Sequence, residues 1–175
     1  MAAEQLMISP PEDGVDHVRG PENARLIVEY GDYECPYSRR AYRSIERIEA
    51  ALGGGVRFAW RHFPLTEIHP HALAASRAAE AAALQDRFWE MHDRLFLRQK
   101  ALEDEDLRRY ARELGLDIGR FDRDRDSDAV LDRVERDFRS GLESGEVRGT
   151  PALFIDGVVH LGGYDADTLL ELVKR

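Results

Sequence analysis

The sequence predicts an α/β fold interrupted by an all-helical insertion, and three observations carry that reading. A short β-rich run, Leu26-Ile27-Val28-Glu29-Tyr30, is followed by helical spacing and then by a second strand, "VRFAWRHFPL". From Pro70 to about Glu146 nearly every segment has helical character. Strand character returns in "TPALFIDGVVHLGGY", where Asp156-Gly157 between two apolar runs suits a two-residue hairpin turn.

Each element has its own local reason. Residues 1–13 are polar and contain prolines, and are expected to form a loose, flexible N-terminal arm. Residues 14–66 hold the first half of the fold. Its first strand stops at Gly31-Asp32. Pro36 then suits a first helical turn, where its missing N–H would have had no partner anyway. Tyr37, Ala41, Ile45, Ile48 and Leu52 recur at steps of three and four, which predicts one buried helix face. Gly53-Gly54-Gly55 stops that helix, and Pro64 closes the second strand.

Residues 67–146 form the insertion. "HALAASRAAEAAALQ" is Ala-rich, and "DRFWEMHDRLFLRQ" sets Phe88, Trp89, Met91 and Leu95 on an apolar side. Together with Phe96 these read as core packing rather than as a substrate groove. "EDEDLRRYARELGL" stops at Gly115, and Val130, Val134 and Phe138 recur at four-residue steps in a helix that closes at Gly145. The charges between them, including the Arg-rich stretch from Arg120 to Arg139, read as solvated faces with i,i+4 pairs. Residues 147–175 complete the fold with the hairpin and a last helix, for which Asp165 is the expected N-cap.

Composition narrows the function. The 175 residues are 43% hydrophobic and 34% charged, with a net charge of −9. That balance disfavours nucleic acid or an anionic membrane as partner. No window approaches the roughly 20 apolar residues of a membrane span. The acidic start "MAAEQLMISPPEDGVDH" does not read as a signal peptide, so the expected location is cytoplasmic.

The chemistry concentrates in "GDYECPYSRR", which holds the only cysteine, Cys35. A cysteine between a strand end and a helix start sits among unpaired backbone N–H groups at the positive end of the helix. That setting favours the thiolate, which is the nucleophile. Arg39 and Arg40 would support the anion and Asp32 and Glu34 oppose it, the distances deciding. The two acids could also act as a proton relay, although exposed loop charges are the simpler view of them. Ser38, one turn on, is expected to face back and donate a hydrogen bond to the thiolate. It cannot attack a mixed disulfide, so release of a bound partner needs an outside thiol. Ser38 itself admits three origins: a natural monothiol enzyme, a decayed site, or a deliberate replacement of a resolving cysteine. His62, His69, His71 and His92 show no convincing metal spacing. His69 and His71 are expected where the inserted helices begin, and His62 near the active site.

Cys-Pro-Tyr-Ser after "EYGDYE", then "RHFPL", "FWEMHDRLF" and "GTPALFIDG", strongly resemble the bacterial DsbA family of thioredoxin-fold proteins. The nearest likeness is to the soluble thioredoxin-like domain that accompanies or extends some bacterial sodium/proton antiporters. The resemblance runs from about residue 20 to the C-terminus. It implies a thioredoxin fold, with a central mixed sheet and a helical domain inserted after the second strand. It also implies a cis-proline loop at Thr150-Pro151 that lies against Cys35 and presents the substrate chain. The departure is Ser38, where dithiol members carry cysteine.

The expectation is therefore a DsbA-like thiol–disulfide oxidoreductase. Cys35 is the nucleophile, Pro36 and Tyr37 shape the helix start, Ser38 supports the sulfur, and Thr150 and Pro151 bind substrate. Its partners would be protein or glutathione thiols and disulfides, with no metal or cofactor beyond glutathione as a candidate co-substrate, and with association to a membrane transporter open. Two rivals stand beside it: a redox-silent binding module, and a glutathione-dependent transferase or isomerase.

Overall fold

The computed structural model describes residues 7–175. Five strands and seven helices follow in the order β1 (His17–Arg19), β2 (Arg25–Gly31), α1 (Pro36–Leu52), β3 (Val56–His62), α2 (Ala72–Ala83), α3 (Phe88–Leu97), α4 (Asp104–Glu113), α5 (Ile118–Arg125), α6 (Asp128–Ser144), β4 (Ala152–Ile155), β5 (Val158–His160) and α7 (Ala166–Val173). The strands form one mixed sheet in the order β1-β3-β2-β4-β5. β2 and β3 are parallel, as a helical crossover requires, and the other pairs are antiparallel. This is the thioredoxin-like α/β fold, with α2 to α6 lying between β3 and β4.

Alternation along the strands splits the core in two. Ile27, Phe58, Trp60 and Leu153 pack with Ile45 and Ile48 of α1, Leu169 of α7, and Phe96, Tyr110 and Phe121 of the inserted helices. Val28, Tyr30, Ala59, Phe63 and Phe154 pack on the opposite face with Phe138 of α6. Phe88, Met91, Leu95 and Phe96 are buried in the first cluster and Trp89 packs against it, so the aromatic row of α3 is core. The hairpin turn uses Asp156 at φ 49° and Gly157 at φ 86°, the two left-handed residues such a turn needs. Asp165 caps α7 by accepting from Thr168 N.

The structure departs from expectation at several points. β1 was not anticipated, because His17-Val18-Arg19 is too short and polar to show a period. The N-terminal arm, expected loose over residues 1–13, is docked from Met7 onward; residues 1–6 lie outside the described residues. Ile8 is buried in the second core cluster, and Met7 N–H donates to Gly157 O at 2.9 Å. The Arg61 guanidinium donates to Ser9 O at 2.9 Å. One apolar side chain and two backbone groups, the Met7 N–H and the Ser9 carbonyl, hold the segment, and none of them shows in a polar composition. On α1, Tyr37 is 53% exposed and Tyr42 is buried instead, because the helix turns its face slightly from the one the spacing suggested. The Arg120–Arg139 stretch is not wholly solvated. Asp137 is fully buried, where it accepts from His62 N–H at 2.9 Å and pairs with Arg133 and Arg136.

Candidate functional site

Cys35 is the N-cap residue of α1, in extended conformation (φ −74°, ψ 122°), with Pro36 opening the helix. Its N–H donates to Asp32 O, and its carbonyl accepts from Arg39 N–H, both at 3.1 Å. The side chain is buried, and Sγ stands 3.4 Å from Thr150 O, placed to donate its proton there. The Thr150–Pro151 bond is cis. Residues 115 positions apart in sequence thus meet at the sulfur. Beside them Thr150, Pro151, Val159, Leu161 and Tyr164 line a cleft of about 400 Å³. Thr150 Oγ1 is shielded from solvent and has no hydrogen-bond partner among the described residues.

Ser38 is fully buried, but its contact differs from the expected one. Its Oγ accepts from Asp32 N–H at 3.2 Å. The hydroxyl thus braces the turn leading into Cys35, because the N–H of Asp32 is buried with it and needs an acceptor. Pro36 and Tyr37 are exposed on the first turn.

Asp32 and Glu34 are not free loop charges. Asp32 is fully buried; Oδ1 accepts from Glu34 N–H at 2.7 Å, and Oδ2 accepts from Leu65 N–H at 2.9 Å and faces His69 Nδ1 at 2.8 Å. Glu34 accepts from His71 N–H and from His71 Nδ1 at 2.9 Å, while His71 Nε2 faces Glu103 Oε1 at 2.9 Å. Two acceptor-only carboxylates on one imidazole favour the doubly protonated ring, and the Glu34 hydrogen bond raises the His71 pKa above its ordinary value. The two acids tie the loop before Cys35 to the segment that begins the insertion.

A further residue carried no sequence signal. Gln99, just after α3, donates from Nε2 to Tyr33 O at 2.8 Å and to Cys35 O at 2.9 Å. The pairing spans 64 residues, and nothing periodic or motif-like marks it. Behind the loop, Glu29 of β2 is 1% exposed, and its two carboxylate oxygens have no hydrogen-bond partner among the described residues. Burial pushes its pKa up to about 8. Burial also raises the pKa of Tyr164, which lines the Thr150–Pro151 cleft.

His62 is buried beside Tyr33 of that loop, with ring centroids 6.0 Å apart, and lies within hydrogen-bond reach of Glu80 Oε1 at 2.7 Å, with His17 at the same oxygen. Burial works against the Glu80 carboxylate, but the two imidazoles outweigh it and lower the pKa. The three groups lie close enough to suggest a metal site. However, Trp60 Nε1, which can only donate, lies 3.2 Å from His62 Nδ1. The ring therefore carries its proton on Nε2, the position a metal would need free. The trio reads as a brace between β1, β3 and α2.

A lone cysteine at a helix start, facing the carbonyl before a cis-proline in this fold, defines a thioredoxin-fold thiol site. The chain belongs to the DSBA-like thioredoxin domain family, which it matches over residues 26–174. Over 171 residues it is 44% identical to the Na(+)/H(+) antiporter NhaA 1 of Mycolicibacterium vanbaalenii, covering 96% of this chain and 28% of that protein. The corresponding figures for the Na(+)/H(+) antiporter NhaA of Herminiimonas arsenicoxydans are 46%, 97% and 27%. The chain thus spans little more than a quarter of those relatives' length. Among solved structures it resembles a thioredoxin-like oxidoreductase from Silicibacter pomeroyi (TM-score 0.81, 29% identity, 93% of this chain and 92% of that one). It also shares the fold of BdbD from Bacillus subtilis (TM-score 0.81, 21% identity, 98% and 97% covered). Among the described residues no helix is long and apolar enough to cross a membrane.

Proposed function

We propose that this domain performs thiol–disulfide exchange through Cys35 alone, on protein or glutathione disulfides. The observation that carries the reading is the approach of Cys35 Sγ to Thr150 O at the start of α1. The Cys35 thiolate attacks one sulfur of a disulfide. A new S–S bond forms to Cys35, the old one breaks, and the departing thiolate takes a proton from solvent. Thr150 and Pro151 hold the substrate chain. Ser38 cannot displace the adduct, so a second thiol from outside completes the cycle, as a reducing compartment supplies. The test is to incubate the protein with glutathione disulfide and weigh it. One adduct on Cys35, reversed by added thiol and absent from Cys35→Ala, supports the reading; no adduct sinks it.

The naming of the relatives favours a second reading, in which the domain serves a sodium/proton antiporter as a bound or fused regulatory module. Retention of such an antiporter by Cys35→Ala in solubilised membranes would support it. Loss of the antiporter on that substitution would return the thiol to the centre.

A further inference from the structure

The net charge of −9 conceals a local excess of the opposite sign around Cys35. Arg39 and Arg40 stand in the first turns of α1, with Arg40 over the Tyr37 ring at 5.5 Å. Arg39 and Lys100 line one small cleft with Gln99, whose amide holds the Cys35 carbonyl. Arg148 lines the Thr150–Pro151 cleft. Among the described residues none of Arg39, Arg40, Lys100 and Arg148 makes a salt bridge. Among the nearby acids Asp32 is buried against His69, Glu34 and Glu103 share His71, and Glu146 lines the Thr150–Pro151 cleft.

We infer that this site selects disulfides that carry carboxylates beside the reacting sulfur. Exposed cations without acidic partners attract an anion and raise its local concentration, an effect that salt screens. The inference rests on the thiol-exchange reading and adds the charge of the substrate to it. The shared chemistry is a carboxylate near a disulfide, whether in glutathione disulfide or in an acidic stretch of a protein. The step is unchanged: Cys35 sulfur is oxidised to the disulfide level as the departing half is reduced to a thiol.

The test is a charge series on the whole chain, following adduct formation with glutathione disulfide (anionic), 2-hydroxyethyl disulfide (neutral) and cystamine (cationic). Two peptide disulfides, one flanking cysteine with Glu and one with Lys, separate a protein source from glutathione. After correction for each reagent's rate with a free thiol, the anionic disulfides should react fastest and the cationic ones slowest. Raising the salt should narrow the gap. In Arg39→Gln/Arg40→Gln/Lys100→Gln the anionic-to-neutral rate ratio should fall, by about fivefold per effective cation removed. Preference for the Glu-flanked peptide without preference for glutathione disulfide would assign the surface to proteins, and the reverse would assign it to glutathione. Corrected rates that are equal across the series, with Cys35 still reacting, overturn the charge selection and leave thiol exchange standing. No reaction with any member, the neutral one included, overturns thiol exchange and this inference with it.

Discussion

Gln99 holds Cys35 in place from a different part of the fold: its amide nitrogen bonds the Cys35 carbonyl at 2.9 Å and the Tyr33 carbonyl at 2.8 Å. The insertion thereby fixes the backbone that presents the sulfur. Gln99→Ala should destabilise by about 1–3 kcal/mol, the net worth of two typical lost hydrogen bonds. Gln99→Glu should cost more, because a carboxylate would face two carbonyl oxygens with no donor. Denaturant melts check the stability, and the rate of glutathione adduct formation should fall in both variants. Unchanged melts and rates would show the bonds to be incidental.

Glu29 should make stability depend on pH. Its folded pKa of about 8 lies above the ordinary carboxylate value, so the native state holds a proton that the unfolded chain has lost. Its contribution is fully present below about 4.5 and is lost as pH rises towards 8. The isosteric Glu29→Gln should gain on the parent across that window, by on the order of a few kcal/mol at its upper end. A pH-independent difference in unfolding free energy between the two would count against it.

His71 and His92 should titrate on opposite sides of the ordinary histidine value. The Glu34 hydrogen bond raises His71, whereas burial and the Arg19 charge hold His92 well below. The bridge from Glu34 to Glu103 is therefore complete at low pH and loses one ring N–H as pH rises through the raised value. NMR titration of the ring protons reads both groups at once. In Glu34→Gln the His71 midpoint should drop, and a midpoint that stayed put would remove Glu34 as the cause.

Ser38→Cys should restore a two-thiol cycle. Residues three apart in the first helical turn lie within disulfide reach. The variant should discharge a Cys35–glutathione adduct without added thiol, where the parent retains it. Because Ser38 Oγ accepts from Asp32 N–H, and sulfur is a weaker acceptor, the reduced variant should also be slightly less stable. An adduct of equal lifetime in both proteins would be inconsistent with this geometry.

Gly31 admits no side chain. A Cβ there would collide with the Trp60 ring, which is itself fully buried. Gly31→Ala should cost about 1–3 kcal/mol or more through overpacking, lowering the melting temperature. The strand leads directly into Asp32, so adduct formation at Cys35 should slow as well.

The sequence by itself determined what is local. The β-rich run before Cys35, the proline that opens α1, the Asp-Gly turn and the Asp165 cap each follow from a few neighbouring residues. So does the single sulfur with serine one turn on, and the family's motifs joined these into a fold. The tertiary structure decided everything that depends on which distant groups meet. Asp32 looked like a loop charge but is a buried hub, because Leu65 N–H and His69 come to it from β3's far end. Ser38 faces a backbone N–H of the turn where sequence pointed it at the sulfur. Gln99 is invisible to any period because its partners lie in another segment. Periodicity reports which side of an element is buried, and local chemistry reports how it begins and ends. The partner of a buried donor or carboxylate is fixed only when the chain has closed around it, and at this site those partners hold Cys35 in position.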